Sequence, residues 1–231
     1  MGVRIQDMTA FQGPRLLLLS ALLLGTLASA FAQNKLTQLP PASSGNEIMP
    51  PFSLVWHELS ERLEGKIEAA KLNILERRKI GSRWAITVSG FKKPNPEDPN
   101  APKPPELRRV IFYFLAGDLG KEKRRDGKMD DRLVGGQLSE VELQYEQDGW
   151  GEDNYATCLG EKRQLLERLY GQGQQLVRTT TPTPDKQASQ TLVGYKWNKN
   201  NTAVELIYFH VVANSNKQQE FHTLSLHYKR S

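Results

Sequence analysis

Thr202–Val212 reads TAVELIYFHVV, and after the turn-prone stretch Asn214–Lys217 the chain resumes as QEFHTLSLHYK over Gln219–Lys229. Both segments alternate apolar and polar residues, the period of a half-buried β-strand. A turn centred near Asn216 sets Val204 opposite Tyr228, Leu206 opposite Leu226 and Tyr208 opposite Leu224, an apolar set suited to a core. On the other face Glu205 meets His227 and Ile207 meets Ser225. A slip of one residue would move each apolar side chain to the wrong side, so the pattern itself selects this register. The hairpin predicts an antiparallel sheet with one face buried under helices and one more polar face.

Working outward, the same alternation recurs at Thr191–Trp197, at Trp84, Ile86 and Val88, and at Leu138–Tyr145 (LSEVELQY). Leu107–Ala116 (LRRVIFYFLA) reads as a strongly apolar strand. Leu59, Leu63, Ile67, Ala70 and Ile74 recur at helical spacing and predict an amphipathic helix ending near Ile80–Gly81. A second helix is predicted over Tyr155–Tyr170, stopped by Gly171. Lys92–Glu106 is proline-rich and excluded from a sheet ladder, and Gly117–Gly136 reads as a charged, glycine-rich loop. The expected fold is α+β, with helices packed on one face of an antiparallel sheet. LSEVELQY (138–145) aligns with FHTLSLHY (221–228), each after an aromatic-rich strand. That match points to two α-β-β-β halves, 54–150 and 151–231.

Residues 1–32 carry the marks of a signal peptide. Arg4 and Arg15 precede the apolar run LLLLSALLLGTL (16–27), and small residues lead to a cut expected after Ala32, with a cut after Ala30 as the alternative. Residues 33–53, rich in proline and serine, read as a tether before an α+β domain over 54–231. The expected location is periplasmic or extracellular, with no stable membrane insertion once the signal is removed. The chain carries a formal charge of +5, but acidic residues interrupt almost every basic cluster. Nucleic-acid binders concentrate Lys and Arg on one face, so no nucleic-acid partner is expected. Cys158 is the only cysteine; no intramolecular disulfide is possible, and its simplest role is a small buried hydrophobe.

No G-x-S-x-G elbow is present, and the Thr-Cys-Leu-Gly context of Cys158 matches no cysteine-hydrolase signature. His57-Glu58 lacks the second histidine of a zinc helix. Asp126–Asp131 resembles a calcium loop but has Lys128 where an oxygen is wanted and Gln137 at the twelfth position. His210 falls opposite His222 on the core side, with Glu220 nearby. No third ligand follows clearly, and the reading is a pair of satisfied imidazoles with no metal and no cofactor. The acidic residues around Trp150 and Tyr155 could bind a sugar or a cation, or could simply cap a helix.

The stretch LLERLYGQG from Leu165, then Trp197, an alternating strand and the closing Leu224-x-Leu226-x-Tyr228 resembles the exported α+β repeats of the beta-lactamase-inhibitor-like superfamily. That group includes an outer-membrane assembly lipoprotein, and its members lay short helices on an antiparallel sheet and bind other proteins. The resemblance is confined to the C-terminal part. The chain departs from it in having one helix per half and no lipidated cysteine, and no specific residue is carried over. The function expected is a non-catalytic module that binds another envelope or extracellular protein, or another envelope component. Its surface would be the polar sheet face, Glu140, Glu142, Glu205, Ser225 and His227, together with Trp150 and the loops at 117–136 and 146–154. The rival is a carboxylate- or metal-dependent hydrolase.

Overall fold

A computed structural model describes residues 46–91, 106–123, 129–146, 151–184, 187–213 and 220–231. The expected signal peptide, residues 33–45 of the expected tether, most of the proline-rich loop and Trp150 lie outside the described residues. The elements run α1 (Ser60–Ala69), β1 (Asn73–Ile80), β2 (Arg83–Ser89), β3 (Glu106–Leu115), β4 (Asp118–Lys123), β5 (Met129–Val134) and β6 (Gln137–Glu146). They continue with α2 (Glu152–Tyr170), β7 (Gln174–Pro182), β8 (Ala188–Lys199), β9 (Thr202–Ala213) and β10 (Glu220–Arg230). Eight strands form one antiparallel sheet in the order β1-β2-β3-β6-β10-β9-β8-β7, and β4 and β5 form a separate hairpin.

The β9–β10 register is the one the alternation dictates: Val204 pairs with Tyr228, Leu206 with Leu226, Tyr208 with Leu224 and His210 with His222. From there an apolar row crosses the sheet, Leu226 to Leu143, Leu143 to Val110 and Val110 to Val88. Leu63 and Ile67 of α1, and Tyr155, Cys158 and Leu166 of α2, close over this face and join the same core. The fold is α+β, with both described helices on one side of the sheet.

Each half is a helix followed by four strands of the main sheet, and the two halves meet at their last strands, β6 against β10. The seam carries an approximate two-fold. Leu226 pairs with Leu143, and its flanking pairs, Ser225 with Gln144 and His227 with Glu142, exchange under the 138–145/221–228 alignment. The outer strands agree. β1 has its register shift between Ile74 and Glu76, and β7 has its shift between Gln175 and Val177, the second residue of each strand and two beyond. A bulge repeated at one position of each edge strand is a designed feature of both halves rather than a local defect.

Three expectations are corrected here. The first helix stops at Ala69, not near Ile80, and Asn73–Ile80 is a strand. Lys71 takes a left-handed conformation (φ 55°), while its N–H donates to Glu68 O and the Leu72 N–H donates to Ile67 O. That is a helix-ending turn made without glycine. The halves are therefore α-β-β-β-β, since β7, expected as polar loop, also joins the sheet. The segment 117–136 contains the β4–β5 hairpin, anchored by the fully buried Leu133. Ser60 Oγ donates to Leu133 O at 2.8 Å, and the Leu133 N–H donates to Glu64.

The expected tether also ends sooner. Ile48 is fully buried; its N–H donates to Thr202 Oγ1 at 2.7 Å, and its carbonyl accepts the Trp56 indole N–H at 2.8 Å. Residues from Glu47, which pairs with Arg230, belong to the folded domain.

Candidate functional site

The face of the sheet turned away from the helices carries the polar residues that alternation assigns to it. Glu140 sits at its centre. Its carboxylate accepts from Arg83 Nη1 at 2.7 Å and from His227 Nδ1 at 3.0 Å, with Lys229 Nζ at 3.9 Å. Glu142 accepts the Tyr113 hydroxyl and the Gln144 amide, both at 2.7 Å. Lys229 bridges onward to Glu205 at 2.7 Å, and Lys196 approaches Glu205 at 3.3 Å. Glu140, Glu142, Glu205, Ser225 and His227 are thus brought into one network. Arg83, Tyr113, Lys196 and Lys229 belong to it as well, and sequence reasoning did not single them out.

Burial would raise the Glu140 carboxyl, but the hydrogen bonds from His227 and Arg83, with Lys229 nearby, outweigh it and hold the group below the ordinary carboxylate range. Glu205 follows the same logic, burial being overcome by Lys229 and Lys196. Tyr113 is pushed far up, first by burial and then by its bond to Glu142. Glu140 and Glu205 are thus held toward the charged form by the cations that engage them.

One part of the network has the outline of a nucleophile relay. Ser225 Oγ lies 3.0 Å from His227 Nε2, and His227 Nδ1 lies 3.0 Å from Glu140 Oε1. Acyl transfer needs, besides hydroxyl, base and carboxylate, N–H donors aimed at the developing oxyanion. Ser225 lies inside β10, which is paired with β9 on one side and β6 on the other. Backbone donors around it serve the sheet ladders, so among the described residues the flanking strands offer Ser225 no free pair of N–H groups for an oxyanion.

The opposite side holds a second group. His210 and His222 are buried and stacked, ring centroids 4.1 Å apart and 10° from parallel. His222 Nε2 is 3.1 Å from Glu220 Oε2, and its Nδ1 is 3.0 Å from the Tyr208 hydroxyl. His210 Nε2 reaches only within 3.9 Å of the same Glu220 oxygen, and among the described residues this buried nitrogen has no hydrogen-bond partner. Leaving such a group unsatisfied costs about 1–3 kcal/mol. Burial, and then the neighbouring His222, hold His210 below the ordinary imidazole value.

Tyr155 is buried and stacks on His222 at 4.9 Å, so it is a core residue, not an exposed aromatic among acids. Next to the pair, a cleft of about 490 Å³ opens between α2 and the β7–β8 edge, lined by Glu152, Arg163, Arg178, Thr191, Tyr195 and Tyr208 among others. Arg163 lies over the Tyr195 ring at 4.5 Å and is bonded to Glu167. Cys158 is buried, and burial pushes its thiol up to about 11, which fits a packing role and not a nucleophile. No described helix is long and apolar enough to cross a membrane. Comparison with protein-family models, curated proteins and solved structures gives no match.

Proposed function

We propose that this protein is an exported, non-catalytic binding module whose recognition surface is the open face of the eight-stranded sheet, and that its partner is another envelope or extracellular protein. The observation that supports this most is the state of that face. Among the described residues no helix covers it, yet the carboxylates at its centre, Glu140, Glu142 and Glu205, are already engaged by Arg83, His227, Tyr113, Lys196 and Lys229. A surface of this kind meets a partner without bringing uncompensated charge into the contact. At one end of the face, Phe221 is half exposed and meets Phe209 edge-on at 6.5 Å, which supplies the aromatic anchor that protein contacts favour.

The rival reading of carboxylate-driven hydrolysis requires one acid kept protonated near neutral pH. That reading rests on the carboxylates around Trp150, part of which lie outside the described residues. On the open face, Glu140 and Glu205 are held in the opposite direction and supply no such acid. The test is affinity capture of the tagged protein, from Gln33 onward, in its native envelope, with washes at low and high salt. Phe221→Asp alters the open face, and Glu161→Lys alters the exposed side of α2. One stoichiometric protein partner should survive high salt with the wild type and Glu161→Lys and be lost with Phe221→Asp. Capture of no partner, or equal capture by all three, overturns the proposal.

A further inference from the structure

We infer that His210, Glu220 and His222 form a binding site for one divalent ion of the zinc class, on the helical side of the sheet and independent of the open-face reading. The three side chains each offer a ligand atom, and those atoms lie within 4.8 Å of one another. Glu220 Oε2 is 3.1 Å from His222 Nε2 and 3.9 Å from His210 Nε2. Bonds of about 2.0–2.2 Å to imidazole nitrogen and carboxylate oxygen place neighbouring ligands of a tetrahedral ion about 3.3–3.5 Å apart, a spacing these distances bracket. Imidazole with carboxylate suits zinc and its first-row neighbours and is a poor set for calcium or magnesium, which take oxygen ligands.

Two further features point the same way. His210 Nε2 is a buried nitrogen lacking a hydrogen-bond partner among the described residues, and coordination would satisfy it. Binding through His222 Nε2 requires the ring proton on Nδ1, where the Tyr208 oxygen lies 3.0 Å away and accepts it. Metal-binding histidines characteristically carry such a partner, which fixes both tautomer and ring orientation.

The backbone holds the pair fixed, because His210 and His222 are directly opposed in the β9–β10 ladder, so binding needs only side-chain rotation. The nearly parallel rings must splay for both lone pairs to meet one ion, and Glu220, about one-third exposed, is free to follow. Tyr155 shields His222 on its outer face, and Glu152 lies near enough to act electrostatically on His210. Two histidines and one carboxylate leave a fourth position for water or an anionic group, the pattern of an open site.

The test is calorimetric titration of the metal-free protein with zinc chloride, with calcium chloride as control and cobalt absorption as a report on geometry. One zinc per chain should bind, calcium should not, and bound cobalt should give the strong visible bands of a four-coordinate ion. Tyr208→Phe should weaken zinc about 10–100-fold, and His210→Ala with His222→Ala should abolish binding. Glu220→Gln, at a partly exposed position that preserves the fold, should also weaken zinc at least tenfold and so decides the matter if the double variant fails to fold. Absence of stoichiometric zinc binding by the wild type overturns the site, as does unchanged affinity in folded Glu220→Gln.

Discussion

At the residue scale, the chemistry of the open face rests on Glu140, and its protonation carries a prediction. Its folded pKa is depressed, so the stability it contributes is present above the ordinary carboxylate range and is lost as pH falls through the folded value below it. Glu205 adds to this with the same sign. Urea midpoints should therefore drop as pH is lowered from 5 toward the acid range. Glu140→Gln should cost about 2–3 kcal/mol at neutral pH, because Arg83 and His227 lose a charged partner, and it should flatten the acid limb. Ser225 gives a second prediction. Its neighbouring backbone N–H groups serve the β9 and β6 ladders, so an active-serine phosphonate probe should leave the native protein unlabelled. Alternation alone placed His227 over Glu205 and Ser225 by Ile207. It could not place Tyr113 against Glu142, because β3 meets β6 through register shifts at Leu107/Arg109 and Tyr113/Phe114, and no local pattern announces a shift that depends on the neighbouring strand.

At the scale of elements, legibility followed burial. β9 and β10 lie inside the sheet with one face packed, so their residues alternate and their register could be read to the residue. β7 lies at an edge, and every residue in it but Val177 is exposed, so no apolar period was written into Gln174–Pro182. β1 was misread for a different reason: Ile74 continues the helical spacing of α1 by coincidence, and the stop is carried by Lys71 instead of a glycine. A lysine in the left-handed region costs about 1–2 kcal/mol, against the smaller entropic cost that glycine brings. Lys71→Gly should raise stability by about 0.5–1 kcal/mol, read as a higher urea midpoint with an unchanged slope; a lower midpoint would mean that the Lys71 side chain contributes more than its backbone strain removes.

At the scale of the whole molecule, the seam between β6 and β10 joins two similar halves, and the match between 138–145 and 221–228 made it partly visible in the sequence. The number of strands per half was not visible, since both outer strands are polar edges. A half produced alone would expose the seam strand and the apolar row centred on Leu226. Residues 151–231 alone should therefore associate as a symmetric dimer, β10 against β10 with Leu226 on the axis, detected by light scattering after gel filtration. A folded monomer would contradict the seam's role. In the intact chain, Leu226→Ala should cost about 2–5 kcal/mol.

The central claim, that the open sheet face is where a partner docks, is tested most directly by site-specific photo-crosslinking in the native host. A photoreactive residue at Phe221 probes the open face, and one at Glu161 probes the exposed side of α2. The account predicts a single protein adduct from position 221 and none from 161. An adduct from 161 with none from 221 would place recognition on the helical side and contradict it.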